Sequence, residues 1–375
     1  MSFVLSSFYT ASALGAGNAE TLANYLKGVA PGLRETDGDV PGRTLWFGHV
    51  TADLPAATDV RGATRTNRLL ALAVREMSGL TDLVARYGAD RVGVVLGSSN
   101  TGVHEAFAQV EDWIDARASD PAAAKPTGLD FSMLELGTPA LYLKELLGVT
   151  GPAYTVSTAC SSAAKAFGAA RRLLASGRCD AVVTGGVDGR CRFALNGFHA
   201  LGALSEGRCR PLAEDRDGIN LGESVALFAM ERGTAGVKFA GIGETSDAYH
   251  ATAPDPEGRG AEAAMRAALA DAGLRPADVD YVNLHGTGTR ANDAMETAAV
   301  GRIWPDWTVA RATGPAAAGP VRCESTKSLT GHCLGAAGAV EAAICVLLVR
   351  AGHVRAALSN SFAFGGSNAS VIFTA

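Results

Sequence analysis

The sequence lacks an excess of positive charge, and this absence limits the partners that the protein can have. Its 33 lysine and arginine residues are outnumbered by 38 aspartate and glutamate residues, which gives a formal net charge of −5. A chain with this balance does not attract nucleic acid or an anionic membrane surface through its overall charge. We therefore expect neither nucleic acid nor a membrane among its partners.

Paired cysteines and long apolar runs are also lacking. The seven cysteines include no CxxC pair and no paired cysteine–histidine block, which argues against a disulfide framework or a structural zinc site and favours a cytoplasmic location. The longest apolar run, near 342–349, is far shorter than the roughly 20 residues that span a bilayer. The N-terminal segment has no basic region of the kind that opens a signal peptide, so we interpret it as a first strand and turn.

Glycine, by contrast, is abundant, with 45 of the 375 residues. Because glycine accepts positive φ angles at little cost, we expect many tight turns between strands and helices. Strand-like and helix-like runs alternate along the chain, which predicts an α/β fold. The predicted strands of the first half are RVGVVLGSS from Arg91, AYTVS from Ala153 and DAVVTGG from Asp180.

The same alternation returns in the second half. The segments VKFAGIGETS, VDYVNLHGTGT and VRCEST are predicted strands, and helices are predicted over 262–272, from about Asp293, and over 339–349. This repetition predicts two related α/β halves, 1–235 and 236–375. The segment 310–320 and the ten residues from Ser119 are the predicted loops.

The segment VSTACSSAAKAFGAA places Cys160 between a predicted strand and a predicted helix. Unpaired N–H groups at a helix start stabilise a thiolate and can also hold a developing oxyanion. A small, buried and inert side chain is the alternative, and it is our interpretation of the other six cysteines. The position of Cys160 makes it the candidate nucleophile, provided that partner groups lie nearby.

Two histidines and a lysine supply such groups. His285 follows a predicted strand in NLHGTGT, and Lys327 and His332 lie in KSLTGHCLGAAG, in a second turn at the end of a strand. Ligands collect at the carboxyl ends of strands in α/β sheets, and two neutral imidazoles can donate hydrogen bonds to one developing negative charge. The other five histidines lack this context. In NSFAFGGSNAS, Gly365 and Gly366 allow a sharp turn beside a ligand.

Together these blocks resemble the elongating β-ketoacyl-acyl carrier protein synthases of the thiolase superfamily. The matching segments run in the family's order over nearly the whole chain: TACSSAAKAFGAA, GFHALGALS, RPLAEDRDGINLGESVA, SDAYH, HGTGTRANDAMETAAV, STKSLTGHCLGAAGAVEA and NSFAFGGSNASVIF. The resemblance implies a thiolase-like fold in which two α/β halves form a five-layered αβαβα core. It also implies a dimer that receives its substrates on acyl carrier protein and uses no metal and no cofactor.

The resemblance implies a role for each residue of the catalytic set. Cys160 would take an acyl group from a thioester. His285 and His332 would assist decarboxylation of a malonyl thioester and stabilise the enolate that attacks the acyl-enzyme. Lys327 would orient and polarise this cluster, paired with Glu296.

Further roles fall on the segment around Phe364. Its backbone N–H and that of Cys160 would form the oxyanion hole, and its ring would act as a gate between the two half-reactions. The substrate and gating set is completed by Thr287, Thr289, Gly365 and Gly366. In this region the sequence differs from the family's usual pattern in two ways. Ala363 stands where the family usually has glycine, and the segment before Asn360 is shorter than in relatives.

The pattern of one cysteine and two histidines separates this chain from other members of the superfamily. Thiolases have a second cysteine in place of one histidine, initiating synthases carry asparagine where His332 stands, and chain-length-factor subunits lack the nucleophile. The expected reaction is a decarboxylating Claisen condensation that extends a fatty acyl or polyketide chain. A specialised polyketide or polyene ketosynthase with a nucleophile-free partner and a non-catalytic subunit stay open, as do homodimer and heterodimer.

Three arginines are the predicted docking face for an acidic carrier protein. Arg61, Arg65 and Arg68 are spaced i, i+4 and i+7 in DVRGATRTNRLLALAV, which predicts one stripe of a helix. Elongating synthases carry basic residues on the corresponding helix, although another arginine common near their entrance is replaced here by Gly202. A solvated helix face without a partner is the alternative interpretation.

Overall fold

The computed structural model describes residues 2–57, 59, 61–126, 130–314 and 319–375. Its strands are β1 Phe3–Ser12, β2 Gly15–Ala16, β3 Leu33–Thr36, β4 Leu45–Gly48, β5 Val92–Gly97, β6 Ala153–Val156, β7 Ala181–Asp188, β8 Leu221–Gly222, β9 Ser224–Arg232, β10 Val237–Ser246, β11 Tyr281–Asn283, β12 Thr308–Val309, β13 Arg322–Glu324, β14 Ala356–Ala363 and β15 Ser367–Thr374. Its α-helices are α1 Asn18–Lys27, α2 Arg65–Glu76, α3 Leu80–Tyr87, α4 Val103–Ser119, α5 Thr138–Leu147, α6 Ser162–Ala175, α7 Arg192–Ala200, α8 Arg259–Ala272, α9 Arg290–Ile303, α10 Lys327–Thr330 and α11 Ala337–Arg350.

The strands form one large mixed sheet and one small sheet. In the described residues the large sheet has twelve strands, in the order β12-β13-β11-β14-β15-β10-β1-β9-β7-β5-β6, with β2 beside β1. Strands β3, β4 and β8 form the small sheet. The first strand, β1, is antiparallel to β9 on one side and to β10 on the other, so it joins the two sides of the large sheet.

The two sides of the large sheet repeat one pairing pattern. Strand β5 is parallel to β6 and β7, β7 is antiparallel to β9, and β9 is antiparallel to β1. On the other side β11 is parallel to β13 and β14, β14 is antiparallel to β15, and β15 is antiparallel to β10. The strand order therefore contains two similar halves, while the boundary between residues 235 and 236 stays a prediction.

Helices cover both faces of each half and give the layers of a thiolase-like fold. One apolar cluster joins α6 and α11 to both halves of the sheet, so these helices lie in the middle. A second cluster packs α2, α3 and α5 on one outer face, and a third packs α8 and α9 on the other. Residues 337–349 of α11 are all buried, as expected for a helix that is apolar on every side. The predicted fold class is confirmed.

The predicted elements are present, with shifted bounds. The helix expected from about Asp293 begins at Arg290, and the helices expected over 262–272 and 339–349 begin at Arg259 and Ala337. Ser119, expected in a loop, is the last residue of α4. Residues 127–128 and 315–318 of the two predicted loops lie outside the described residues.

Equivalent strands of the two halves end at the same place in the molecule. After β6 the chain passes through Cys160 into α6, and after β13 it passes through Lys327 and His332 into α11. His285 follows β11 and Phe364 follows β14. The carboxyl ends of these strands therefore present the predicted catalytic residues beside the starts of the two central helices.

Gly97, the last residue of β5, offers a test of how tightly this region is packed. A Cβ at this position would lie 2.2 Å from the backbone nitrogen of Ala163 and 2.4 Å from its Cα, at the start of α6. We expect Gly97→Ala to lower the free energy of unfolding by about 1–3 kcal/mol, because α6 must shift. Denaturant unfolding measures this loss.

Gly197 in α7 provides the matched control. A Cβ there would meet no atom within 4 Å, and its helical position favours alanine over glycine. Gly197→Ala should therefore leave the protein equally stable or more stable. Equal stability of Gly97→Ala and the wild type would contradict the close approach of β5 to α6.

Candidate active site

Cys160 lies in the turn between β6 and α6, as predicted, but just ahead of the helix. Helix α6 begins at Ser162, and Ser161 occupies the N-cap position. Ala159 takes a φ of 52°, a left-handed conformation that an alanine adopts only under constraint. The Ser162 hydroxyl donates to the Ala159 carbonyl at 2.5 Å and accepts from the Thr158 N–H at 2.9 Å. These bonds hold the turn that presents Cys160.

The structure brings Cys160, His285 and His332 together. Nε2 of His332 lies 2.9 Å from Sγ of Cys160, which is hydrogen-bonding distance. The two imidazole rings meet edge to face, with centroids 5.4 Å apart. One ring nitrogen of each histidine and the Cys160 sulfur all lie within 4.8 Å of one another. A single small group can therefore contact all three side chains.

Both imidazoles are held in the neutral form. Burial, with the nearby Lys327, keeps the pKa of His332 well below 6.5. The pKa of His285 is also well below 6.5, through burial, Lys327 and His332. A neutral imidazole carries one N–H and one free nitrogen, so each ring can donate one hydrogen bond to a substrate oxygen.

The Cys160 thiol is protonated in this environment. Burial raises its pKa to about 12, although the Lys327 charge and a hydrogen bond from the backbone of Phe364 act in the opposite direction. The side chain is only 6% exposed. The helix start alone therefore does not produce a thiolate, and a proton acceptor such as His332 is needed.

The predicted pairing of Lys327 with Glu296 is wrong. The Lys327 ammonium forms an ion pair with Glu341, and both side chains are 1% exposed. The same nitrogen lies 3.4 Å from Nδ1 of His285. Glu341 comes from α11, where it is the only charged residue of the apolar stretch 337–349. A buried charge of this kind requires a partner, and that signal was present in the sequence.

Glu296 instead holds the turn that carries His285. Its carboxylate accepts from the backbone N–H of His285 at 2.8 Å and from that of Gly286 at 2.7 Å. Asn360, which the sequence analysis did not select, donates to the same carboxylate at 3.0 Å. Burial raises the pKa of Glu296 to about 7, while these donors lower it. Glu296 therefore positions His285 without contacting Lys327.

Phe364 and the two following glycines form a turn at the mouth of the site. The Phe364 ring is 40% exposed and packs on Phe198, with ring centroids 5.8 Å apart. Gly365 and Gly366 have φ angles of 81° and 72°, in the left-handed region that favours glycine. Ala363 has φ −108° and ψ 156°, an extended conformation open to any residue. The unusual alanine is therefore accommodated without backbone strain.

A cavity of about 250 Å³ leads from the surface to Cys160. Thr287 and Thr289 line it, and their hydroxyl oxygens lie 2.9 Å apart. The lining also includes both catalytic-set histidines and the rings of Phe198 and Phe364. Of the predicted substrate and gating residues, Thr287, Thr289 and Phe364 thus line the cavity that contains the Cys160 sulfur, whereas Gly365 and Gly366 do not.

The cluster of one cysteine and two histidines was also tested as a metal site. Thiolate and imidazole are zinc ligand types, and the three groups are close enough together to share one ion. However, the Lys327 ammonium lies 3.4 Å from His285 and would repel a cation bound there. This local charge favours an anionic substrate group over a metal ion.

The three arginines of the predicted docking face do not form one helical stripe. Helix α2 begins at Arg65, so Arg61 precedes it, and the predicted spacing is wrong for that residue. Arg61 pairs with Glu145, and Arg68 donates to the carbonyls of Pro55 and Leu54. All three side chains have internal partners, which leaves little free charge for docking.

Arg65 has the most constrained of these contacts. It donates two hydrogen bonds of 2.5 Å to the carboxylate of Glu223, which is fully buried. The same carboxylate accepts from the backbone N–H groups of Val50 and Arg190. Glu223 directly follows Gly222, whose N–H donates to the carbonyl of His332 at 3.0 Å. Arg65 therefore supports the backbone on which His332 is held.

The fold and the cysteine–histidine–histidine cluster place the chain in the thiolase superfamily. Family models for the beta-ketoacyl synthase N-terminal and C-terminal domains match residues 63–235 and 237–360. The chain belongs to the beta-ketoacyl synthase family. In the part that the structure describes, we find no helix that is both long and apolar enough to cross a membrane.

Individual relatives agree with this assignment. Nodulation protein E from Rhizobium meliloti is 38% identical over an alignment of 263 residues, and the match covers 60% of this chain and 63% of that protein. The match thus spans less than two thirds of that relative. The 3-oxoacyl-[acyl-carrier-protein] synthase 2 of Staphylococcus aureus (strain COL) is 33% identical over 326 residues, 76% of this chain and 75% of that one.

A solved structure covers the whole chain. It is the complex of a ketosynthase with its chain length factor from Xenorhabdus doucetiae, one chain of which is similar to this protein with a TM-score of 0.89 and 36% identity. The similarity covers 100% of this chain and 98% of that one. The two chains therefore share one fold over nearly their whole lengths.

The buried pair of Arg65 and Glu223 can be tested by its effect on stability. Arg65→Ala leaves a carboxylate that is fully buried without its cation, and we expect a loss of about 3 kcal/mol in the free energy of unfolding. Arg61→Ala is the control, because its pair with Glu145 is exposed and should contribute less than about 1 kcal/mol. Similar losses in both variants would contradict the supporting role of Arg65.

Proposed function

We propose that this protein is a β-ketoacyl-acyl carrier protein synthase, an acyltransferase that extends an acyl chain by two carbons. The observation that carries the proposal is the 2.9 Å contact between the Cys160 sulfur and His332, with His285 beside it in the same cavity. A thiol next to two neutral imidazoles suits thioester exchange followed by stabilisation of an enolate. The name of the Staphylococcus aureus relative supports acyl carrier protein as the substrate carrier.

In the first half-reaction, the Cys160 sulfur attacks the carbonyl carbon of a carrier-bound acyl thioester. A new sulfur–carbon bond forms, and the bond to the carrier's sulfur breaks. The thiol proton passes through His332 to the departing carrier thiolate, so no other acid is needed. Backbone N–H groups of Cys160 and Phe364 hold the carbonyl oxygen while it carries negative charge.

In the second half-reaction, a malonyl thioester loses carbon dioxide. The enolate oxygen that forms accepts hydrogen bonds from His285 and His332, whose neutral rings are suited to donate them. The enolate carbon then attacks the acyl carbonyl, and the bond to the Cys160 sulfur breaks. The product is a β-ketoacyl thioester on the carrier, and one proton from solvent restores the thiol.

Other residues position this chemistry. Lys327 lies 3.4 Å from His285, where burial and the Lys327 charge together keep the ring neutral, and Glu341 holds the ammonium in place. Glu296 fixes the turn that carries His285. The hydroxyls of Thr287 and Thr289 bind polar groups of the arriving arm. Phe364, with Gly365 and Gly366, forms the gate over the cavity.

A second subunit is part of the proposal. Strand β6 lies at the edge of the large sheet, and Tyr154 on it is 39% exposed, as are Leu141 and Leu146 of the adjacent α5 at 41% and 39%. An edge strand flanked by exposed apolar side chains invites pairing with another sheet. The similarity to a chain of a ketosynthase–chain length factor complex supports a partner of the same fold.

The mass of the purified protein in solution distinguishes a homodimer from a heterodimer. Light scattering of the purified chain gives twice the chain mass for a homodimer. If a stable dimer forms only on co-expression with a nucleophile-free subunit, the protein is a heterodimer. We further propose a cytoplasmic location, because the seven cysteines are free and buried, as suits a reducing compartment.

A non-catalytic subunit is the second candidate function. The raised pKa of Cys160, about 12 through burial, favours it, because a protonated thiol is a poor nucleophile. Alkylation with iodoacetamide, followed by mass mapping, separates the two functions. Rapid modification confined to Cys160 supports the synthase, whereas an inert Cys160 supports the silent subunit.

Substitutions of the catalytic set should separate the half-reactions. Cys160→Ala should abolish acyl transfer and condensation while the fold survives, because little volume is lost. His285→Ala should slow carbon dioxide release from malonyl-acyl carrier protein by about a hundred- to a thousand-fold, as one well-placed donor is removed. Acylation of Cys160 should persist in that variant, since His285 is not the ring in contact with the sulfur.

Labelled carbon dioxide release and the intact mass of the acyl-enzyme measure the two steps separately. The sequence predicts a role for His332 in decarboxylation, and the structure adds a role in acylation. His332→Ala should therefore impair both acylation and decarboxylation, because His332 contacts the Cys160 sulfur directly. Condensation by purified Cys160→Ala would overturn the nucleophile assignment, and normal decarboxylation by His285→Ala would overturn the role of that ring.

The pH dependence of decarboxylation tests the neutral imidazoles. Since burial and Lys327 hold both histidine pKa values well below 6.5, the rings stay neutral in the folded protein when the pH falls through that value. Glu296 has a pKa of about 7 and titrates in the same range, so the profile is measured in Glu296→Gln, where we expect the rate of carbon dioxide release to be flat between about pH 6 and about pH 8. A decline with a midpoint near 6.5 would contradict this environment.

The free energy of unfolding is the control for the pH profile of carbon dioxide release, because it should depend on histidine protonation whereas the rate should not. Below pH 6.5 the unfolded chain binds protons at these histidines and the folded chain does not. The contribution of these two histidines to the free energy of unfolding is therefore complete above pH 6.5 and decreases as the pH falls below it, while the raised pKa of Glu296 acts in the opposite direction. Thermal unfolding at each pH identifies the range in which the rate is measured on folded protein.

A further inference from the structure

The mouth of the catalytic cavity carries an arginine that internal contacts leave free. Thr289 and Ala291 line the cavity, and Arg290 lies between them as the first residue of α9, with an exposed side chain. Within the described residues, its guanidinium has no hydrogen-bond or ion-pair partner. Only its carbonyl is engaged, and this accepts from Arg216 at 3.3 Å.

Neighbouring cations differ from Arg290 in being neutralised. Nε of Arg216 lies 3.4 Å from the buried carboxylate of Asp293, and Arg210 pairs with Asp215 at 2.6 Å. Asp293 is itself fully used, because it also accepts from the backbone N–H groups of Leu212 and Gly288. The charge of Arg290 is therefore available to a group that arrives from outside.

The position of Arg290 along the chain limits its distance from the chemistry. It lies five residues after His285, and five residues of fully extended chain span at most about 18 Å. Thr287 and Thr289, which line the cavity, lie between the two. Arg290 is therefore flanked on both sides by residues that line the cavity containing Cys160.

We propose that Arg290 binds the phosphate of the phosphopantetheine arm through which an acyl carrier protein delivers its thioester. The inference rests on the proposed function, since it assumes delivery by a carrier. The arm ends in a thioester and is joined to its carrier by a phosphodiester, which bears one negative charge. A guanidinium matches that group with two parallel N–H donors, and lysine does not offer this geometry.

The three arginines that the sequence predicted as the docking face already have partners within the protein. Arg61 and Arg65 are paired with carboxylates, and Arg68 donates to backbone carbonyls. None of the three lines the cavity, whereas both neighbours of Arg290 do. Recognition of the carrier's charge at the cavity mouth therefore falls to Arg290.

A pair of small thioesters that differ only in the phosphate tests the inference directly. Acyl-pantetheine and acyl-4′-phosphopantetheine are compared as donors to Cys160, with intact mass measuring the acylation rate. The wild type should prefer the phosphorylated donor by about ten-fold, the effect of one charge-assisted hydrogen-bonded contact. In Arg290→Ala the two donors should acylate Cys160 at about the same rate. With acyl-carrier protein as the donor, kcat/KM should fall by about ten-fold relative to the wild type.

Arg275 provides the matched control. It is 80% exposed, pairs with Asp278, and precedes β11, whereas Arg290 follows the carboxyl end of that strand. Arg275→Ala should keep the full preference for the phosphorylated donor. Equal loss of the preference in both variants would point to overall charge and would overturn the assignment to Arg290.

The remaining outcomes separate this inference from the proposed function. If Cys160 accepts acyl groups but the wild type does not distinguish the two donors, or Arg290→Ala keeps the preference, the phosphate site is overturned and the synthase stands. If acyl-coenzyme A is a better donor than acyl-carrier protein, the carrier as the source is overturned. If no donor acylates Cys160, the proposed function and this inference fall together.

Discussion

The ion pair between Lys327 and Glu341 is the interaction on which the rest of the site depends. Both charges are buried, so each is tolerated only because the other is present. The pair ties the turn after β13 to the central helix α11 and places an ammonium beside His285. That charge helps to keep both rings neutral and acts against the effect of burial on the Cys160 thiol. Burial is the larger cause of these pKa shifts, and the pair adds to it at both histidines.

Much of the fold followed from the sequence because its signals are local. Strands such as β5 and β7 are continuous apolar runs, and the glycine-rich turns after β11 and β14 mark where chains leave the sheet. The positions of Cys160, His285 and His332 at strand ends predicted that they would meet, since the carboxyl ends of strands gather at one place in such folds. The structure places them in contact.

The partners of the charged residues could not be read in the same way. The family resemblance implied that Lys327 pairs with Glu296. The Glu296 carboxylate instead accepts hydrogen bonds from two backbone N–H groups and from Asn360. Arg65 looked like part of an exposed stripe, but its partner Glu223 is 158 residues away and buried. Helical spacing reports which side of a helix a residue is on, and it carries no information about which distant carboxylate faces that side.

The pairing of β1 on both sides has a consequence for how the chain folds as it is synthesised. This strand lies at residues 3–12, whereas its neighbours β9 and β10 lie more than 200 residues later, at 224–232 and 237–246. During synthesis an apolar strand must therefore stay unpaired until those later segments have been made. Contacts of such long sequence separation are slow to form, and an unpaired strand is prone to aggregate. Nascent chains that still lack β9 and β10 should consequently expose both edges of β1 to pairing with other chains.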